Sequence, residues 1–247
     1  MKTALVTGGS RGIGLDTVRH LVEEGYHVIT CSRSKAGWTE ALNAYPELAE
    51  VDHQVVDISV DADLDALFHY LGETYGELHV AVNNASPDIA SIGDFHNVDT
   101  QLLKSTLDVD FWAQAMCLKH EISLMNAGAA IVNISSVNGL RPTPNASMYS
   151  AAKHALEGLT RSLALENIPS GIRINSVAPG VTWTPRWQAK QTRQPNIRQD
   201  VSDVVPIKRF AHSDEVVNAI AFLLSDKASY IVGHTLVVDG GLSLTGA

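Results

Sequence analysis

The sequence predicts a single α/β domain built on a doubly wound, parallel seven-stranded sheet with helices on both faces. Three observations point to it. Short apolar runs alternate with longer helical patterns, the first run leads straight into a glycine-rich turn, and no linker, repeat or low-complexity tract interrupts the alternation. The apolar runs are continuous, as expected of strands buried on both faces. In order, Ala4–Thr7, Val28–Cys31, Val51–Val56, Val80–Val82, Ala130–Ile134, Arg173–Val177 and Thr235–Val238 read as strands. Helical periodicity spans Gly14–Glu24, Asp61–Tyr75, Gln101–Met125, Ser147–Glu166 and Asp214–Leu224.

Residues 182–206 break this rhythm. They carry Pro185, Pro195 and Pro206, several Gln and Arg residues, and the exposed-looking Trp183 and Trp187. A long irregular stretch in a compact domain is a lid or a solvated loop. Its place after a strand end, where open α/β sheets bind ligands, favours a substrate lid on the single domain 1–247.

Composition narrows the function. A chain of 247 residues can bury one large core. The net charge of −9, with basic residues mostly scattered singly, argues against nucleic-acid or anionic-membrane surfaces, which need clustered Lys and Arg. Cys31 and Cys117 have neither metal-ligand nor disulfide-framework spacing and are expected to pack as small apolar residues. The histidines form no HExxH pattern, so no metal is expected. No apolar run is long enough to span a bilayer, and the first strand leaves no room for a signal peptide. A soluble cytoplasmic protein is expected.

Three residues carry candidate chemistry. Tyr149 and Lys153, four apart on a predicted helix, share one face, and Ser136 lies thirteen residues upstream of Tyr149. A free phenol, with a pKa of about 10, is a poor acid or base at neutral pH. A cation beside it favours the phenolate and makes proton exchange with an alcohol or carbonyl oxygen feasible. Ser136 could hold the same oxygen.

At the other end, Thr7-Gly8-Gly9-Ser10-Arg11-Gly12-Ile13-Gly14 follows the first strand and opens the first helix. Such glycines let a pyrophosphate approach the backbone at a helix N-terminus. The spacing is Gly-x-x-x-Gly-x-Gly, not the commoner Gly-x-Gly-x-x-Gly. The second strand ends Cys31-Ser32-Arg33, where an NAD site usually places an acidic residue for the ribose 2′-hydroxyl. With Arg11 and Arg33 there instead, NADP(H) is expected over NAD(H), because guanidinium forks grip phosphate.

Taken together and in order, these motifs resemble the short-chain dehydrogenase/reductase family, in its single-domain branch. Further matches are Asp57, Asn83-Asn84-Ala85, Asn133-Ile134-Ser135-Ser136, Pro179-Gly180 and Val238-Asp239-Gly240-Gly241. The resemblance runs from Met1 to the C-terminus and implies a Rossmann-like fold. It also implies a catalytic set of Ser136, Tyr149 and Lys153, with Tyr149 the general acid or base. Lys153 would favour the Tyr149 phenolate and bind the nicotinamide ribose. The cofactor would lie on Gly8, Ser10, Arg11, Gly12, Ile13, Gly14, Ser32, Arg33, Asp57, Ile58, Asn83, Ala85, Tyr149, Lys153, Pro179, Gly180, Thr182 and Thr184. Ser135 competes with Ser136, but only Ser136 has the family's offset to Tyr149.

Two positions depart from the pattern. Asp110 stands where the family usually has a catalytic Asn that supports a water in a proton relay. Two readings stand: its charge would partly cancel the Lys153 cation and move the pH optimum upward, or the nearly isosteric exchange is conservative and leaves turnover intact. Ser86-Pro87 follows Asn-Asn-Ala where the family usually has Gly; a side chain there should tighten the backbone without abolishing cofactor binding.

The expected reaction interconverts a small-molecule carbonyl (ketone, sugar or polyol type) and its secondary alcohol. The substrate walls would come from Pro87–His96, Asn138–Met148 and Trp183–Gln194. Reduction of 3-oxoacyl groups on an acyl carrier protein is the alternative. The helix ends Leu124–Gly128 and Asn167–Gly171 lack the Lys or Arg that docking to an acidic carrier would need. A catalytically weak NADP(H) sensor is a second alternative, favoured only by Asp110. The resemblance also implies a homotetramer packed through the two long helices and the C-terminal strand region.

Overall fold

In the computed structural model, which describes residues 1–245, seven strands pair in parallel in the order β3-β2-β1-β4-β5-β6-β7. They are β1 (Thr3–Thr7), β2 (His27–Ser32), β3 (Asp52–Val55), β4 (Val80–Asn83), β5 (Ala130–Ile134), β6 (Arg173–Pro179) and β7 (Thr235–Val238). The helices are α1 (Gly12–Glu23), α2 (Lys35–Ala44), α3 (Asp61–Tyr75), α4 (Thr100–Leu107), α5 (Ala113–Ser123), α6 (Ser147–Asn167), α7 (Pro185–Gln191), α8 (Ile197–Val204) and α9 (Ser213–Leu224).

Strand residues alternate between two cores, as the pleat requires. Ala4 and Val6 of β1 pack with Val18 and Leu21 of α1 and with Val216, Ile220 and Leu223 of α9. Leu5 points the other way, into Phe68 of α3, Leu118 of α5 and Leu156 of α6. Helix α3 shows why these segments are helical. Leu64, Leu67, Phe68 and Leu71 recur on one buried stripe, Asp61 and Asp63 sit in the first turn, and Gly76 ends the helix at φ +73°.

Three segments differ from expectation. Residues 182–206 are not irregular: they hold α7 and α8, with Pro185 at the start of α7, where its missing N–H costs nothing. Trp183 and Trp187 are half-buried anchors whose rings meet Phe210 edge-on at 5.0 and 5.1 Å. Helix α2, invisible in the periodicity, buries only Trp38 and Ala41. The long helix expected over 101–125 carries a π-helical turn at Asp108–Trp112 between α4 and α5. Both cysteines are buried, as small apolar residues are, and burial pushes the Cys31 thiol up to about 12.

A polar row crosses the sheet. Asn83 donates to Glu121 Oε2 at 2.9 Å and to Asn133 Oδ1 at 3.0 Å, and Asn133 donates to Thr160 at 2.9 Å. Glu121 is fully buried with its Oε1 unpartnered, and desolvation pushes its carboxyl up to about 8 against the pull of Asn83. An unfolded Glu titrates near 4.3. Between those values the folded chain therefore holds a proton that the unfolded chain has lost, so stability falls as pH rises from about 4 to about 8. Glu121→Gln is expected to remove that slope and to melt above wild type near pH 8. Thermal melts of both proteins across this window check it.

No helix among the described residues is long and apolar enough to cross a membrane. No group of His, Cys, Asp and Glu among them could hold a metal ion.

Candidate active site

The strand order reverses between β1 and β4, and a cleft opens at their carboxyl ends, the place where open α/β sheets bind ligands. Strand β1 runs into the glycine turn, and α1 begins at Gly12 with its first N–H groups free of helical partners. Gly14 is required for close packing: a Cβ there would stand 2.3 Å from the Gly8 carbonyl oxygen and 2.4 Å from Asn84 Nδ2. Asn84 clamps this turn, donating from Nδ2 to the Thr7 and Gly8 carbonyls at 3.1 and 3.2 Å. The Thr7 hydroxyl accepts from the Asn84 and Ala85 backbone N–H groups.

Across the cleft, Tyr149 lies in the first turn of α6 and Lys153 one turn further along. Ser136 caps a short 3₁₀ turn, its Oγ accepting from the Asn138 N–H at 3.1 Å. That turn lies hard against α6, since a Cβ on Gly139 would come within 3.0 Å of the Lys153 backbone carbonyl. Sheet and helix thus bring the serine to the tyrosine and lysine. The Lys153 ammonium is buried, donates to the Ile134 carbonyl at 3.1 Å and lies 5.7 Å from the Tyr149 ring centre.

Asp110 sits on the π-turn, a feature frequent at functional sites. Its Oδ1 lies 3.7 Å from Lys153 Nζ and accepts a hydrogen bond from the Ser86 hydroxyl at 2.6 Å. The two departures from the family pattern therefore touch each other. Arg186, on α7, donates to the Ser86 and Pro87 carbonyls at 2.9 and 2.7 Å and pairs with Asp88 at 2.9 Å. The segment expected as a lid is tied to the loop opposite it.

Gly8, Ser10, Arg11, Gly12, Ile13, Ser32, Arg33, Asp57, Ile58, Ala85, Pro179, Gly180, Thr182 and Thr184 line the cleft, together with Ser136, Tyr149 and Lys153. Gly14 lies behind the turn that it supports. Asn83 does not line the cleft: it is 1% exposed and spends its amide on Glu121 and Asn133, because strand parity turns it inward and Asn84 outward. Asp110 stands one layer back, reaching the cleft through Lys153 and Ser86. Ser135 also lines the cleft, with a buried hydroxyl that has no partner. Of the expected substrate walls, Pro87, Thr184, Pro185, Arg186 and Trp187 line the cleft, whereas Asn138, Leu140 and Met148 do not. Sequence reasoning missed the Asn84 clamp and the Ser86 contact; the Asn-Asn pair offered a signal for the first, read on the wrong side of the strand.

The cleft suits an anionic dinucleotide. Its charged lining is Arg11, Arg33, Lys153 and Arg186 against Asp57 alone, in a chain of net charge −9. The buried Thr182 Oγ1, on the cleft wall, is left without a partner by the protein itself. Ser32, at the end of β2, donates to the Ser34 carbonyl at 3.0 Å and lies 2.8 Å from His53 Nε2.

Comparisons with known proteins agree with this geometry. The family model described as enoyl-(acyl carrier protein) reductase matches residues 8–243. A cis-4-hydroxycyclohexanecarboxylate dehydrogenase of Sinomonas cyclohexanicum is 36% identical over 97% of this chain and 96% of its own. The short chain dehydrogenase/reductase astE of Aspergillus oryzae is 34% identical over 98% of this chain and 95% of its own. Among solved structures, a substituted actinorhodin polyketide ketoreductase with NADPH superposes with a TM-score of 0.90 at 29% identity, covering 99% of this chain and 98% of that one. With the glycine turn, the Ser136–Tyr149–Lys153 group and matches of this extent, the chain belongs to the short-chain dehydrogenase/reductase family.

Proposed function

We propose that this protein is an NADP(H)-dependent oxidoreductase that interconverts a small-molecule ketone and its secondary alcohol, with Tyr149 as general acid and base. The observation that carries the proposal is one cleft holding both the glycine turn and the Ser136–Tyr149–Lys153 group. Similarity to a dehydrogenase of a hydroxylated cyclohexane ring and to an NADPH-bound ketoreductase supports a carbonyl or alcohol substrate.

Bound NADP(H) would supply the hydride chemistry. The chain's own residues would do the rest. Gly8, Gly12 and the first turn of α1 would receive the pyrophosphate, Arg11 and Arg33 the 2′-phosphate, and Thr182 the nicotinamide end. Ser136 would hold the substrate oxygen, Tyr149 would exchange a proton with it, and Lys153 would favour the phenolate. Pro87 and Trp187 would exclude water from one side. Consumption of NADPH across a panel of cyclic ketones, sugars and polyols tests this reading. NADPH binding without turnover of any of them would favour a sensor instead.

Ser32→Asp is expected to exchange the cofactor preference. A carboxylate at the end of β2 repels a 2′-phosphate and accepts from a 2′-hydroxyl. Loss of charge-assisted bonds there should weaken NADPH binding by about 10- to 100-fold and favour NADH. Fluorescence titration with both cofactors checks it.

We also propose that the chain assembles as a homotetramer through α5 and α6. Phe111 and Trp112 of the π-turn, Met116 and Ile122 of α5, and Leu159 and Leu163 of α6 would be covered there, and Trp112 is half exposed in the single chain. Sedimentation should give a tetramer; a monomer at micromolar concentration contradicts it.

A further inference from the structure

The contact between Ser86 and Asp110 bears directly on Lys153. The Ser86 hydroxyl donates to Asp110 Oδ1 at 2.6 Å, and that same oxygen stands 3.7 Å from Lys153 Nζ. A carboxylate and an ammonium left to themselves close to about 2.7–2.9 Å. Here both side chains are no more than 2% exposed, so bulk water does not hold them apart. The ammonium is instead turned to the Ile134 carbonyl at 3.1 Å. Ser86 is itself fixed, because Arg186 grips its carbonyl at 2.9 Å.

We propose that Ser86 is a positioning residue for the reaction: its hydroxyl claims Asp110 Oδ1 and keeps the carboxylate from closing on Lys153. The ammonium then remains free to act on Tyr149 and the cofactor ribose. The ionisable groups around the pair are Lys153 and Tyr149 on α6, Asp108 on the same turn, and Arg186 with Asp88 on the loop side; β5 contributes the Ile134 carbonyl. With Ser86→Ala, Oδ1 loses its donor and the ion pair closes. The cation's influence on the phenol is then partly cancelled.

The inference rests on the oxidoreductase reading, and the test separates the two. Wild type, Ser86→Ala, Asp110→Asn and the double variant are compared by kcat across pH with NADPH and the best ketone of the panel. The same four are compared by difference absorbance of the Tyr149 phenolate in the NADP complex, read against Tyr149→Phe. Ser86→Ala should lower kcat on the order of 10-fold, the weight of one hydrogen bond to a charged group. It should also move phenolate absorbance to higher pH. Once Asp110→Asn is present, adding Ser86→Ala should change neither quantity. An equal effect in both backgrounds, or none in either, overturns the proposal. If wild type reduces no carbonyl, the oxidoreductase reading fails, and the phenolate comparison alone decides the role of Ser86.

Discussion

Tyr149→Phe is expected to lower kcat by about a thousandfold while leaving fold and NADPH affinity intact. General acid–base groups contribute roughly 10²- to 10⁴-fold, and the phenol is the group placed to exchange the proton. The substitution removes one oxygen from a side chain that is 8% exposed and keeps its packing. Among the described residues that hydroxyl has no hydrogen-bond partner, so no bond of the fold is broken. Steady-state rates, with cofactor titration and a melting curve on the same sample, check all three parts.

Lys153→Met is expected to abolish turnover and also to destabilise the fold. The side chain is 2% exposed and faces an Asp110 side chain that is 1% exposed, so its loss strands a buried carboxylate. Breaking such a pair from one side costs about 3–5 kcal/mol, and a domain of this size loses roughly 2–4 °C of Tm per kcal/mol. A fall of about 10 °C is therefore expected. Adding Asp110→Asn removes the stranded charge and should restore much of the Tm without restoring activity. Calorimetry and rates on the single and double variants separate the structural role of Lys153 from its chemical one.

Much of the site was legible because its chemistry is local in sequence. Tyr149 and Lys153 are one helical turn apart, and the glycine turn is a continuous run, so both survive in a linear reading. The inner strands β1, β2, β4, β5 and β6 were legible because they are short, largely apolar runs buried on both faces, and β5 was bounded correctly at Ala130–Ile134. What failed depended on tertiary context. Helix α2 buries two residues in ten, too few to make a stripe. Helix α7 is held by the packing of Trp183 and Trp187 on Phe210, a contact that no window over 182–206 contains, and α8 meets it through Arg198, 4.3 Å from the Trp183 ring centre. Asn83 and Asn84 are neighbours with opposite fates, decided by which face of β4 each one meets.

The departures at Ser86 and Asp110 were visible as isolated oddities, one expected to stiffen a loop and the other to load the site with charge. Twenty-four residues separate them, and only the fold shows that the hydroxyl of one satisfies the carboxylate of the other. Asp110 thus enters the site already engaged on one oxygen, and its influence on Lys153 depends on that engagement.

The most direct measurement follows the transferred atom. The protein is turned over in ordinary water with a ketone from the panel and NADPH carrying deuterium at its transferable hydrogen, and the product is analysed by mass spectrometry and NMR. An alcohol with deuterium on the carbinol carbon and a solvent-derived proton on oxygen is expected from wild type, and about a thousandfold more slowly from Tyr149→Phe. An unlabelled carbinol carbon, or equal turnover by Tyr149→Phe, would contradict it.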